Sequence, residues 1–227
     1  MANLGILRTY VLKDPASLPL SVLFQHSAKS LILFDAFPKS IFHFLVLPRV
    51  TESSLTVSEL ASLKSLLKCD KDKAKEVILA LKEDAAALKQ DIEAEMMQRY
   101  GFKWGIWTGF HAAPSMEHLH LHVLSADLCS EKMKKKKHYN SFHPKLGFFL
   151  DIDEVLSWFD ADPGFFSSMA KLKASEYEPI LKEDLSCFRC HSHQKNMPTL
   201  NAHLQEDWNK LEKKATKHTD SENENVT

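Results

Sequence analysis

The chain has 227 residues, 44% of them hydrophobic and 26% charged, which suffices for one full-sized domain with a small appendage and is too little for two large ones. Its 29 Lys and Arg against 30 Asp and Glu leave a formal net charge of -1, so any nucleic-acid contact must come from local patches rather than a chain-wide field. No run approaches the length of a membrane span, and the first residues lack the charged-then-apolar pattern of a secretory leader; no membrane partner is expected.

Residues 31–34 and 41–47 are short, apolar and β-prone. Asp35-Ala36-Phe37-Pro38 separates them and Pro48 closes the second, which predicts a hairpin-like strand pair. From about Ser58 to Tyr100 the period is helical. Ala74, Val77, Ile78, Leu81, Ala85, Leu88, Ile92 and Met96 recur at steps of three and four, and a break near Cys69-Asp70 divides a short helix from a long one, with Asp70 as N-cap. Residues 102–110 and 118–124 read as strands. Strand pair, helices, then two strands predict an α+β fold with an antiparallel sheet. The domains expected are 1–150 as the main domain with an N-terminal segment, 151–184 as a connector packed on it, 185–214 as a small metal module, and 215–227 as a polar, disordered tail.

Twelve histidines is a high count, and three of them fall in His118-Leu119-His120-Leu121-His122-Val123-Leu124. Side chains alternate across a strand, so the three imidazoles share one face, roughly 7 Å apart, while the leucines and valine anchor the other. Three readings are open: a half-exposed strand that happens to carry histidines, a zinc site built on a His-x-His pair, or nucleophilic catalysis by a neutral imidazole with an ordinary pKa of about 6.5. The His-Φ-His-Φ-His-Φ-Φ pattern, Φ being apolar, resembles the signature of the histidine-triad nucleotide hydrolases and transferases. Gly109-Phe110-His111-Ala112-Ala113-Pro114-Ser115-Met116, Phe37-Pro38-Lys39-Ser40 and Lys134-Lys135-Lys136-Lys137-His138-Tyr139-Asn140-Ser141-Phe142 resemble the aprataxin family within it.

That resemblance implies a set of roles. His120 is the nucleophile on the α-phosphorus of AMP, His122 polarises that phosphate, His118 orients, and His111 stands beside the leaving phosphate as a proton donor. Ser115 and the Met116 backbone hold phosphate oxygens, Asp35 binds ribose hydroxyls, Lys39 lies beside the nucleotide, and His43 supports the site. An isolated His43 in an apolar strand is equally well read as a satisfied core residue. Lys134, Lys135, Lys136, Lys137 and His138, with Tyr139 and Phe142, are expected to line a groove for the DNA backbone. The N-terminal stretch around Leu7 and Tyr10 corresponds to a helix that wedges against the DNA end, with either residue stacking on a terminal base.

Cys187-Phe188-Arg189-Cys190, twelve residues, His203, three residues and Asp207 give Cys-x2-Cys-x12-His-x3-Asp, the cysteine and histidine spacing of a ββα zinc finger. Pro198 suits the first turn of a helix on which Leu200, His203, Leu204, Asp207, Trp208 and Leu211 share a face. Cys187, Cys190 and His203 are expected metal ligands. The fourth is Asp207, by resemblance to relatives that use a carboxylate, with Glu206, His191 and His193 as alternatives. Zinc here is structural and no catalytic cofactor is expected. Arg189 and several finger lysines are candidate phosphate contacts.

The resulting expectation is a nuclear DNA-repair hydrolase that removes AMP, its product, from 5′-adenylated or nicked DNA ends through an adenylyl-histidine. The resemblance extends this to RNA–DNA junctions. The alternatives are a non-catalytic module that binds DNA ends, or a hydrolase of small dinucleotides or nucleoside phosphoramidates.

Overall fold

The protein is described from a computed structural model covering residues 4–51 and 54–224, with side chains placed as far as residue 215. Strands β1 (Leu23–His26), β2 (Ser30–Phe34), β3 (His43–Pro48), β4 (Ile106–His111), β5 (Leu121–Ser125) and β6 (Phe149–Asp151) form one antiparallel sheet in the order β1-β2-β3-β5-β4-β6. The predicted pair is β2–β3, with Ile32 opposite Val46 and Leu33 opposite Leu45. Strand β1 carried no sequence signal because three of its four residues are exposed at the sheet edge, so alternation never develops.

One face of the sheet packs on helices. Ile32, Phe44, Val46, Phe110, Leu121 and Val123 meet α3 (Lys71–Tyr100) through Ala74, Ile78, Leu81, Ala85, Leu88, Ile92 and Met96, and Val77 borders the stripe half-buried. The Asp70 carboxylate accepts the Lys73 amide at 3.0 Å and caps α3, separating it from α2 (Leu63–Leu66). At the other end Gly101 adopts φ 76°, the left-handed C-cap that a side chain disfavours. Helix α5 (Ile152–Asp160) closes this core with Ile152, Val155, Trp158 and Phe159. Short helices α6 (Pro163–Met169) and α7 (Ala174–Tyr177) carry the chain onward.

The opposite face is divided. At the β2–β3 side, Leu31, Leu33, Leu45 and Leu47 pack on Leu7 and Val11 of α1 (Ile6–Val11). At the other side, Leu124 and Phe149 pack on Tyr139 of α4 (Lys136–Asn140), on Phe142, and on Leu185, Phe188, Leu200 and Leu204 of the C-terminal module. The central strands β3 and β5 place His43 and His122 between these two clusters.

Several expectations change. The strand predicted at 118–124 begins only at Leu121. His118 has φ 84°, and the amides of His118 and Leu119 donate to Ala61 and Leu60 carbonyls of the neighbouring loop rather than to the sheet. Leu7 is buried in the sheet core, so it cannot stack on a base, whereas Tyr10 is half-buried at the margin. Residues 102 and 104 precede β4, and their rings instead pack on Trp208. The last helix, α8 (Met197–Glu224), continues beyond 215, where composition predicted a disordered tail. Asn196 caps it through Thr199, and no Gly or Pro after Pro198 interrupts propagation once Leu200, Leu204 and Trp208 are anchored. Residues 225–227 of that tail lie outside the described residues.

Candidate active site and metal centre

His120 is buried just before β5, and its Nδ1 lies 2.8 Å from the His118 carbonyl. A carbonyl only accepts, so Nδ1 carries the ring proton and Nε2 keeps its lone pair. The φ of 84° at His118 goes with this arrangement. The His118 ring is itself fixed, Nε2 donating to the Pro48 carbonyl at 2.9 Å.

A second chain of bonds sets the neighbouring tautomers. The Lys39 amide donates to His43 Nδ1 at 3.0 Å, so the proton of neutral His43 sits on Nε2, 3.0 Å from His122 Nδ1 and 3.5 Å from Asp35 Oδ2. His122 Nδ1 therefore accepts, and His122 Nε2 carries a proton. That nitrogen is buried with no partner among the described residues, as are His111 Nε2 and His118 Nδ1. Buried polar atoms are rarely left unpaired in this way. Three such orphans around the His120 ring leave polar capacity that a polar ligand would complete.

The rings are close. His111 lies 4.3 Å and His120 5.0 Å from His122 between centroids. Phe142 meets His43, His111 and His122 at 5.2, 4.6 and 5.1 Å. This aromatic wall was not read from the sequence, which assigned Phe142 to a DNA groove; its one signal was its place at the end of the lysine-rich motif. Gly109 pairs opposite His122, and a Cβ there would collide with the Leu150 carbonyl and the Phe149 ring.

Burial, above all, keeps these imidazoles uncharged. It drives His43 and His118 down to about 4, against partial support from Asp35 for the first and from the Pro48 carbonyl for the second. It also lowers His120, opposed by the His118 carbonyl and Asp35, and holds His111 and His122 well below 6.5. Burial likewise keeps His111 neutral, against partial support from a hydrogen bond to the Ser141 backbone that takes up a ring N–H. Because the unfolded chain protonates its histidines near 6.5 and the folded His43 and His118 only near 4, stability must fall as pH drops through this window. The expected loss by pH 5 is on the order of 2 kcal/mol for each. Urea midpoints measured between pH 7.5 and 5 should decrease; a flat profile would refute the neutral, desolvated cluster.

Asp35 accepts the Phe37 amide at 2.7 Å beside His43. Lys39 is buried, its amine held by the Phe37 carbonyl and its pKa lowered by that burial, partly offset by Asp35. Ser115 is exposed and Met116 packs against the α1 core, so their phosphate roles rest on the resemblance. A crevice bordered by Ser62, His111, Pro114 and His118 reaches His120. A separate cavity of about 550 Å³ adjoins Arg8, Ser58, Glu117 and His118 but not His120.

The lysine run is partly helical. Lys134, Lys135 and Lys137 are exposed and His138 half-buried, but Lys136 pairs with Asp184 at 3.1 Å and is turned toward the connector. Tyr139, expected in the groove, is fully buried. Its hydroxyl donates to the Ser186 carbonyl at 2.8 Å and accepts the Phe188 amide at 2.9 Å. Arg189 is likewise committed, donating to the Ala126 carbonyl at 2.6 Å. These contacts, with the Trp208 ring tilted against Trp104 at 4.3 Å between centroids, dock the C-terminal module on the main domain.

In that module a two-residue bridge, Ser186 opposite His193, precedes α8. Cys187 Sγ, Cys190 Sγ and His203 Nε2 lie within 4.8 Å of one another. Asp207 Oδ2 lies next to this group of three, 3.3 Å from His203 Nε2 and 4.0 Å from Cys187 Sγ. Two sulfurs, a nitrogen and a carboxylate oxygen on a rigid turn and helix suit tetrahedral zinc. Hydrogen bonding to Ser192 brings the Cys190 thiol to about 7, favouring its thiolate. Glu206 instead pairs with Lys210 at 2.9 Å, and His191 contacts Lys145. Asp35, His43 and His122 also present donor atoms within 4.8 Å, but their nitrogens are already joined by the relay described above.

Residues 11–138 match the family described as scavenger mRNA decapping enzyme C-term binding, and residues 145–210 match the C2HE / C2H2 / C2HC zinc-binding finger. The aprataxin-like protein of Schizosaccharomyces pombe is 30% identical over 77% of this chain and 69% of its own length. Aprataxin of Gallus gallus is 31% identical over 80% of this chain, and the aprataxin-like protein of Drosophila melanogaster 31% over 77%. The chain spans 49% and 23% of those two relatives. A crystal structure of the aprataxin ortholog Hnt3 in complex with DNA matches with a TM-score of 0.66 at 26% identity, covering 95% of this chain and all of that one.

Proposed function

The chain belongs to the aprataxin family, and from that premise and the pocket geometry we propose that it is a DNA-repair hydrolase that removes AMP from 5′-adenylated DNA ends. The observation carrying this reading is the His120 ring, its Nδ1 tied to a carbonyl and its Nε2 lone pair beside the unpaired Nε2–H of His122. Nε2 of His120 attacks the phosphorus of the AMP moiety. A P–N bond forms, the P–O bond to the DNA 5′-phosphate breaks, and that oxygen leaves with the electron pair. Phosphate is a good leaving group, so it needs no proton from the neutral His111 ring beside it. The adenylated ring is cationic, and the His118 carbonyl on Nδ1 with the charge of Asp35 stabilises it. Water then attacks the phosphorus, the P–N pair returns to Nε2, and AMP departs.

His122 donates to a non-bridging phosphate oxygen. This donor is fixed before the reaction, by His43 and the Lys39 amide, and so needs no reorganisation as charge develops. Asp35 holds the ribose hydroxyls, Lys39 lies beside the nucleotide, and Ser115 with the Met116 amide holds phosphate oxygens. Lys134, Lys135 and Lys137, near His138, grip the DNA backbone; the near-zero total charge makes that grip local. Cys187, Cys190, His203 and Asp207 hold zinc in a structural role, and the site of action is nuclear.

The test is incubation with nicked duplex DNA bearing a 5′-adenylate, with AMP release as the readout. Release of AMP from DNA that weakens steeply with salt, against salt-insensitive turnover of a small nucleoside phosphoramidate, is expected. Failure to release AMP from DNA while a phosphoramidate is hydrolysed would replace this reading with a small-molecule hydrolase.

A further inference from the structure

We propose that Lys145, on the loop between α4 and β6, and His191, on the finger, hold one backbone phosphodiester of the DNA across the seam of the two modules. The inference rests on the DNA reading above and adds a site that the lysine run does not include.

Lys145 Nζ lies 3.0 Å from His191 Nε2. Among the described residues neither group pairs with a carboxylate, unlike Lys136 with Asp184 or Lys210 with Glu206. An ammonium can only donate, so His191 Nε2 accepts and the imidazole proton sits on Nδ1. Two ammonium N–H groups and one imidazole N–H remain. The pair therefore presents donors, a positive charge and no acceptor, which is the complement of a phosphodiester.

His143 extends the same chemistry. Its Nδ1 accepts the Lys145 amide at 3.2 Å, which leaves the ring proton on Nε2, a buried atom with no partner among the described residues. Among the described residues, none of these three bases forms an ion pair with a carboxylate.

The geometry is held rather than accidental. His191 has φ 60°, with its amide bonded to the Cys187 carbonyl at 2.9 Å, an uncommon left-handed state that this turn holds in place. Tyr139 and Arg189 fix the finger against the main domain through Ser186, Phe188 and Ala126. A phosphate bridging Lys145 and His191 would thus read whether both modules are in place.

The zinc-loaded protein should be titrated against labelled nicked duplex DNA by fluorescence anisotropy over a range of salt concentrations. Lys145→Gln is expected to weaken binding by about 5- to 10-fold and to make the plot of log affinity against log salt shallower by about one unit. His191→Asn, whose side chain tolerates the same backbone conformation, should do likewise with unchanged zinc content, and Lys145→Arg should retain binding. Wild-type affinity and slope in Lys145→Gln, with losses in Lys134→Gln and Lys135→Gln, would overturn the seam site and leave the DNA reading standing. Absence of salt-dependent DNA binding in the unaltered protein would remove both.

Discussion

His120→Ala should lower AMP release from 5′-adenylated DNA by about ten-thousandfold or more, since removal of a covalent nucleophile leaves only binding and electrostatic catalysis. Affinity for the DNA should change far less, because phosphate contacts elsewhere dominate it. The reason for the size of the effect lies in the local geometry. His122 and His111 are within reach of the same space, but His122 Nε2 carries its proton and has no lone pair to offer while His43 donates to Nδ1. His122 therefore cannot substitute for His120. Acid-quenched unaltered enzyme should carry one adenylyl group on the peptide containing His120, detectable by mass spectrometry. Near-normal turnover in the alanine variant would transfer the nucleophile to another group and dismantle the tautomer argument. Retained DNA binding with no adenylate in the unaltered protein would instead make the chain a DNA-end-binding module.

Cys187→Ser, or a strong chelator, should lower the melting temperature by roughly 10 °C, as expected for the loss of a structural metal in a chain of this size. Zinc content should fall from one per chain toward zero. The finger is small, and its apolar residues Leu185, Phe188, Leu200 and Leu204 share a cluster with Tyr139, Phe142 and Phe149 of the main domain. Disordering the finger therefore exposes the side of the cluster that supports the Phe142 wall against His43, His111 and His122. A rise in proteolysis within 185–204 and a change in near-ultraviolet dichroism of the Trp104–Trp208 pair should accompany the shift. Unchanged melting in a zinc-free protein would show that packing alone folds the module, and the four donor side chains would need another explanation.

Much of this site was visible in the order of residues. Spacing placed His120 and His122 together and opposed them to Leu121 and Val123, because side chains alternate on extended backbone, whereas His118, at φ 84°, lies outside that run. The same is true of Cys187, Cys190 and His203, where a turn and a helix bring three donors together, with Asp207 one helical turn beyond His203. The α3 stripe and its Asp70 cap were legible for the same reason: each depends on contacts only a few residues apart in the chain.

What spacing does not contain is the set of bonds across the sheet and across the two modules. The Lys39 amide on His43 and the His43 ring on His122 join β3 to β5, and only that pairing decides which imidazole nitrogen has a lone pair. Tyr139 looked like a ligand-facing aromatic and is a buried staple; Lys136 looked like its three lysine neighbours and is spent on Asp184. A lysine run and a histidine run each fix chemical capacity. Desolvation and hydrogen-bond partners, which come from residues distant in sequence, decide which member of each run has a free proton, a free electron pair or a free charge.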